Sequence, residues 1–339
     1  MENNLNRRLI ETTIRKTLKQ IQDDPERSTR NLVDMALNFS EGKFQQQFFE
    51  TTQEMLKNEH SSYYKLVPDI VSTIDTERLV TFGMNLGYNS CTKGAKRIRA
   101  IEEKEQFNIP WSISLEISGL AYLERNKAYH SLIEQGQELG IYTWMIYSLD
   151  GTPHILELAE KFSECAFIIF CSPKEITNIL LDEASKVNNL MLAVEYTDGI
   201  EDACILLRTR KFLYSIFYPY QECDVNKIFN GDFLTDAEIL HPVFTALFAF
   251  PSCPPEIQVS VYQYILQTRA QQIYRTIPFD IIYDSYFIDG IISEEACSIG
   301  FSKEGKLSQI YDSNKYENFN CFKHPLIEIL KQVSLKPKA

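Results

Sequence analysis

The stretch from Phe82 to Lys104, "FGMNLGYNSCTKGAKRIRAIEEK", decides how the rest of the chain is read. With the residues before it, "LVTFGMNL" reads as a strand, followed by a Gly/Asn/Ser loop and a basic helix. Thr81, Gly83 and Asn85 alternate with Val80, Phe82, Met84 and Leu86, which is the period of a half-buried strand. A loop after the first strand of an α/β protein is a common seat of ligand chemistry. This loop holds one cysteine, Cys91.

Downstream, short β-rich runs alternate with helical ones. The further strands are "WSISLEIS", "IYTWMIYS", "CAFIIFC", "LMLAVEY" and "FLYSIFY", and the helices between them include "AYLERNKAYHSLIEQGQEL" and "PKEITNILLDEASKV". Six strands with helical crossovers predict an α/β fold, a partial (β/α)6 TIM-like barrel. Residues 1–76 read as an N-terminal helical segment, 77–225 as the barrel, and 226–339 as a small C-terminal α+β extension. Within the last part, "FNGDFLTDAEILHPVFTALFAF" and "PPEIQVSVYQYILQTRAQQIYRTI" read as helical, and "SKEGK" as a turn in a hairpin.

Parity within "WSISLEIS" assigns faces. Trp111, Ile113, Leu115 and Ile117 fall on one side; Ser112, Ser114, Glu116 and Ser118 fall on the other. A parallel strand covered on both sides is apolar on both. One polar face therefore predicts a wet lumen lined by Asn85, Ser112, Ser114 and Glu116, with Glu195 near the end of "LMLAVEY".

Composition narrows the function classes. The chain has 339 residues, 44% hydrophobic and 24% charged, as in ordinary globular proteins. Its net charge of −12 repels phosphate backbones, so no nucleic-acid partner is expected. No apolar run nears the roughly 20 residues that span a bilayer. The N-terminus lacks a signal-peptide pattern, so a cytoplasmic location is expected. The eight cysteines form no C-x-x-C pair and sit mostly in apolar segments, consistent with reduced, buried thiols. The five histidines show no metal-ligand spacing, and no metal site is expected.

The order of parts resembles the radical SAM superfamily. In that family a six-stranded partial barrel carries a C-x-x-x-C-x-x-C loop after its first strand. Three thiolates there hold a [4Fe–4S] cluster, and its open iron takes S-adenosylmethionine. The matching loop here, "LGYNSCTKGAK", offers Cys91 alone. The family's GGE-like stretch after the second strand is replaced by "LEISGL". The C-terminal part resembles a worn SPASM extension, a feature of enzymes that modify peptides. Cys297 precedes "IGFSKEGKLSQI", Gly305 is at the turn, Ile310 stands where a cysteine belongs, and "HPLIEIL" matches the closing part. The resemblance implies a retained barrel without its cluster. No cofactor is expected; S-adenosylmethionine is left open but is not supported by the motif, and no catalytic residue is assigned.

Each polar motif has a second reading. Glu116 and Glu195 are either an acid/base pair in one cavity or separate strand-end carboxylates. Lys93, Lys96, Arg97 and Arg99 are either an anion site or a solvated helix face. Tyr142, Trp144, Tyr147, Tyr214, Phe217, Tyr218 and Tyr220 are either a peptide-contacting surface or core. The expected function is a non-catalytic pseudoenzyme that binds a peptide or protein partner in peptide maturation. The alternatives are an enzyme using Glu116 and Glu195, or an atypical radical SAM enzyme.

Overall fold

The computed structural model describes residues 2–21, 23–293, 295–308 and 319–334. Four helices come first: α1 (Glu2–Gln20), α2 (Pro25–Asn38), α3 (Lys43–Met55) and α4 (Tyr63–Thr73). Asp24 caps α2, its side chain accepting from the Arg27 N–H, with Pro25 inside the first turn.

Residues 76–105 then form one unbroken helical run. It comprises α5 (Thr76–Met84), a π-helical stretch (Asn85–Gly94) and α6 (Ala95–Glu105). This overturns the strand–loop–helix reading of "LVTFGMNLGYNSCTKGAKRIR". The physical reason is burial on two sides. Val80 and Met84 pack with Leu18 and Ile21 of the N-terminal helices. Phe82 packs on the barrel side with Ala166, Met191 and Leu213. A helix apolar on two faces shows alternation over a short window that imitates a strand. Asp75 starts the run as an N-cap, accepting from the Glu77 and Arg78 N–H groups.

The sheet follows as repeated strand–helix units. β1 (Ser112–Ser118) leads to α7 (Gly119–Leu139), and β2 (Thr143–Asp150) to α8 (Thr152–Lys161). β3 (Ala166–Cys171) precedes α9 (Asn178–Ala184), and β4 (Leu190–Glu195) precedes α10 (Ile200–Thr209). β5 (Tyr214–Tyr220) is followed by α11 (Val225–Phe229) and α12 (Asp232–Ile239). Next come β6 (Phe244–Ala249), α13 (Pro255–Gln271), β7 (Ile277–Asp280), α14 (Ile281–Ile292), β8 (Ile299–Phe301) and α15 (Leu326–Val333).

All eight strands pair in parallel in the order β7-β6-β5-β4-β3-β2-β1-β8, curled into a partial TIM-like barrel. The sheet thus draws on residues on both sides of position 225. "PVFTALFAF", read as helical, contains β6. Its residues are mostly buried, and a short apolar run has no period that separates strand from helix. The place beside β1 is taken by β8, from the end of the chain.

The helical run 76–105 lies across the N-terminal ends of the strands. The Asp75 N–H donates to the Lys211 carbonyl just before β5 (3.0 Å). Arg78 donates to the Ala184 and Val187 carbonyls before β4 (3.2 and 2.9 Å). Asn85 donates to the Ser163 and Cys165 carbonyls before β3 (2.7 and 2.9 Å). The Ser90 and Thr143 hydroxyls meet at the start of β2 (2.7 Å). The Asp75 cap and three residues of the run, Arg78, Asn85 and Ser90, therefore fasten it under four successive strands as the barrel's floor. α14 packs against β6, β7 and the floor. The Trp111 N–H donates to its Asp289 (2.9 Å), and Arg99 of the floor donates to the Ile292 carbonyl (3.1 Å).

Candidate functional site

The lumen holds two chambers that share Met145 and Ile281 as a wall. The first, of about 330 Å³, is rich in hydroxyls: Ser112, Ser114, Tyr147, Ser285, Ser298 and Ser308 are on its surface. The second, of about 290 Å³, lies between the floor, the inner face of the sheet, α3 and α14. Its wall is hydrocarbon, with Phe44, Phe48 and Phe49 of α3 facing Phe170, Phe244 and Phe279 of the sheet. The expectation of a polar lumen therefore holds for the first chamber and fails for the second. β1 carries a polar inner face, whereas the inward residues Met145, Ile168, Phe170 and Met191 of β2 to β4 are apolar. No lining residue of either chamber is charged.

Ser112 and Ser114 lie where strand parity puts them, in the first chamber, while Ile113, Leu115 and Ile117 are buried in the helix-covered core. Trp111 departs from its parity. It precedes β1, and it contributes to the second chamber. Glu116 is half-buried beside the C-terminal hairpin, where the Lys303 N–H favours its charged form. Burial, and after it the nearby Glu304 carboxylate, raise its pKa above the usual glutamate value. Glu195 ends β4, separated from β1 by β2 and β3. Neither glutamate lines a chamber, so the geometry does not assemble them into an acid/base pair.

Asn85 is fully buried at the opposite end from Glu116, and its amide is spent on the floor contacts. It belongs to the scaffold rather than to a lumen wall. The basic residues of the floor are likewise engaged. Lys93 pairs with Glu164 (3.1 Å) and lies over the Tyr142 ring (4.8 Å). Lys96 pairs with Glu41, Arg97 donates to the Glu138 carbonyl, and Arg99 holds α14. These partners favour the bracing of helices over an anion site. Among the aromatic candidates, Tyr142, Trp144, Tyr214, Phe217 and Tyr220 are buried. Tyr147 is the member that reaches the first chamber, stacked on Phe170 with centroids 4.5 Å apart.

Cys91 is buried on the floor helix, and burial pushes its thiol up to about 12. A three-thiolate loop needs irregular backbone and neighbouring cysteines. The segment is helical and has one cysteine, so it does not fit the cluster that the family resemblance implies. Among the described residues, no group of three or more His, Cys, Asp or Glu side chains is placed to hold a metal ion. S-adenosylmethionine fits the chambers poorly as well. It carries a sulfonium, an ammonium and a carboxylate, and neither chamber has a charged lining residue to meet them.

Near the chain end, the hairpin expected at "SKEGK" is present. Phe301 bridges Leu307 in antiparallel fashion, and Gly305 has φ +81°. The Ile310 position lies outside the described residues. Among the described residues, no helix is long and apolar enough to cross a membrane.

No family model and no curated protein matches the sequence. Among solved structures, SuiB from Streptococcus suis bound to S-adenosylmethionine is similar with TM-score 0.51 and 10% identity, over 72% of this chain and 69% of SuiB. SuiB bound to its precursor peptide SuiA is similar with TM-score 0.51 and 9% identity, over 72% of this chain and 70% of SuiB. A third SuiB structure, also at TM-score 0.51 and 10% identity, covers 89% of this chain and 81% of SuiB. At these identities the likeness is one of fold: the chain shares with SuiB a curled, parallel α/β partial barrel.

Proposed function

We propose that the chain is a radical-SAM-like protein that has given up the iron–sulfur cluster and serves peptide maturation as a non-catalytic binding component. The observation that carries this reading is the floor. Where the resemblance calls for a cluster loop, the chain has a helix whose lone thiol is buried and held protonated at neutral pH. Peptide binding is supported by the neighbour of like fold that holds a precursor peptide. The hydroxyl-lined chamber offers hydrogen bonds to a peptide backbone, and Leu120 and Leu123, just past the end of β1, and Leu149, near the end of β2, expose apolar surface. The C-terminal hairpin over Glu116 is read as a SPASM-like remnant kept for contact.

The test is capture of partners from the native cytoplasm by the full chain, repeated with Ser298→Trp at the edge of the first chamber. A peptide or a peptide-modifying enzyme is expected, with recovery reduced several-fold by the substitution. In parallel, the purified chain is reconstituted anaerobically with iron and sulfide and assayed for S-adenosylmethionine cleavage. A stoichiometric chromophore that survives desalting, together with cleavage, would replace this reading with that of an active enzyme.

A further inference from the structure

The second chamber is kept open at a cost to the helix beneath it. Gly83, Gly87 and Cys91 follow one another at four-residue spacing on the floor, and all three line the chamber. Glycine inside a helix destabilises it relative to alanine. Such a glycine is usually explained by a neighbour that leaves no room for a side chain. Here that explanation fails, because a Cβ built on Gly83 or on Gly87 meets nothing within 4 Å. The room these glycines leave is the chamber itself. The floor is π-helical from Asn85 to Gly94, and such windings recur at functional sites.

A second observation is independent of the floor. Ser215, on β5, is 3% exposed and lies on the chamber wall. Its hydroxyl has no hydrogen-bond partner among the described residues. A hydroxyl that the protein leaves unbonded on a largely hydrocarbon wall is free to meet a hydrogen-bonding group of an occupant. Of the other polar side chains on the wall, Gln45 already donates to the Gly87 carbonyl (2.9 Å), and the Trp111 indole N–H is a second group without a partner among the described residues. Met145 and Met191 add polarizable side chains that adapt to the shape of an occupant.

We propose that this chamber is a binding site for a small, uncharged ligand with a hydrocarbon body and a single hydrogen-bonding group, which meets Ser215. Size sets the body. The chamber's volume of about 290 Å³ is roughly twice that of an apolar cavity of about 150 Å³ that takes benzene, so a two-ring body fits. The absence of charged lining residues excludes ionic ligands, whose desolvation nothing on the wall offsets. Access lies beside α3, where Phe48 of the wall is 53% exposed. This site is separate from the hydroxyl-lined chamber and does not depend on the peptide-binding reading.

The test uses 2-naphthol, naphthalene and naphthalene-2-sulfonate as probes, with binding to the full chain measured by fluorescence and calorimetry. Saturable one-site binding of 2-naphthol is expected, with the sulfonate at least tenfold weaker. Ser215→Ala should weaken 2-naphthol about fivefold, the effect of one lost hydrogen bond, and leave naphthalene unchanged. Gly87→Leu should abolish binding of both neutral probes by filling the chamber. If that variant does not fold, Ser215→Ala still decides. No saturable binding of 2-naphthol, equal binding of the sulfonate, or a Ser215→Ala variant that binds 2-naphthol as the parent does would each overturn the assignment.

Discussion

Asn89 donates its side-chain amide to the Asn85 side-chain oxygen at 3.0 Å, one turn apart on the barrel floor. Both are buried, and both also donate to main-chain carbonyls in the loop before β3. The pair thus replaces main-chain partners that a loop of 163–165 would otherwise lack. Asn85→Ala leaves the Ser163 carbonyl without this donor and is expected to cost about 2 kcal/mol. Denaturant unfolding measures this. An unchanged midpoint would show that water takes over the role of Asn85.

Much of the fold was legible, and the failures have a common cause. β1 displays its alternation because one of its faces meets a hydroxyl-lined chamber while the other meets helices, and Ser112, Ser114, Ile113 and Leu115 fall as parity dictates. The floor hid because Val80 and Phe82 are each buried against a different layer. The start signal was present at Asp75, two residues before Glu77, but the apolar alternation outweighed it. β6 hid because it is buried on both faces. The apolar chamber left little mark in the sequence, since it is assembled from α3, the floor, the sheet and α14. Only the spacing of Gly83, Gly87 and Cys91 hinted at it.

Asp289 on α14 gives the chain a pH dependence. It is fully buried, and burial pushes its pKa up to about 8, against the Trp111 and Cys297 N–H groups and with the Glu102 carboxylate adding to the rise. Its ordinary value is near 3.8. Between those values the folded chain binds more protons than the unfolded one, so stability falls as pH rises from about 4 to about 8. Asp280, the N-cap of α14, adds a contribution of the same sign, its pKa raised by burial to about 7. Asp289→Asn should flatten the upper part of the profile and gain stability relative to the parent at pH 8.5. Thermal unfolding across pH 5 to pH 9 reads it out, and parallel profiles for the two proteins would refute the assignment.

Cys91 should be inert in the folded chain. With its thiol pushed up to about 12, almost none is thiolate at neutral pH, and the sulfur is buried. Cys223 is exposed. Alkylation of the native protein followed by peptide mass spectrometry should label Cys223 first and Cys91 only on unfolding. Equal labelling rates would mean that the floor opens readily, and would weaken the case that Cys91 has left cluster chemistry behind.

The floor meets the barrel most closely at Gly94 and Gly140, and this contact should tolerate no side chain. Gly140 follows α7 with φ +102°, a region that favours glycine, and a Cβ there would lie 2.6 Å from the Gly94 carbonyl. A Cβ on Gly94 would press on the Gly140 carbonyl, and would stand 2.9 Å from the Asn89 carbonyl and 3.2 Å from the Tyr142 ring. Backbone on both sides leaves little to yield, unlike the open space above Gly83 and Gly87. Gly94→Ala should therefore destabilise by about 3 kcal/mol through overpacking, and Gly87→Ala should stabilise by several tenths of that through helix propensity. The contrast controls for the general effect of replacing glycine in this helix. If both substitutions shift the unfolding midpoint in the same direction, the close approach of floor and barrel is not what Gly94 provides.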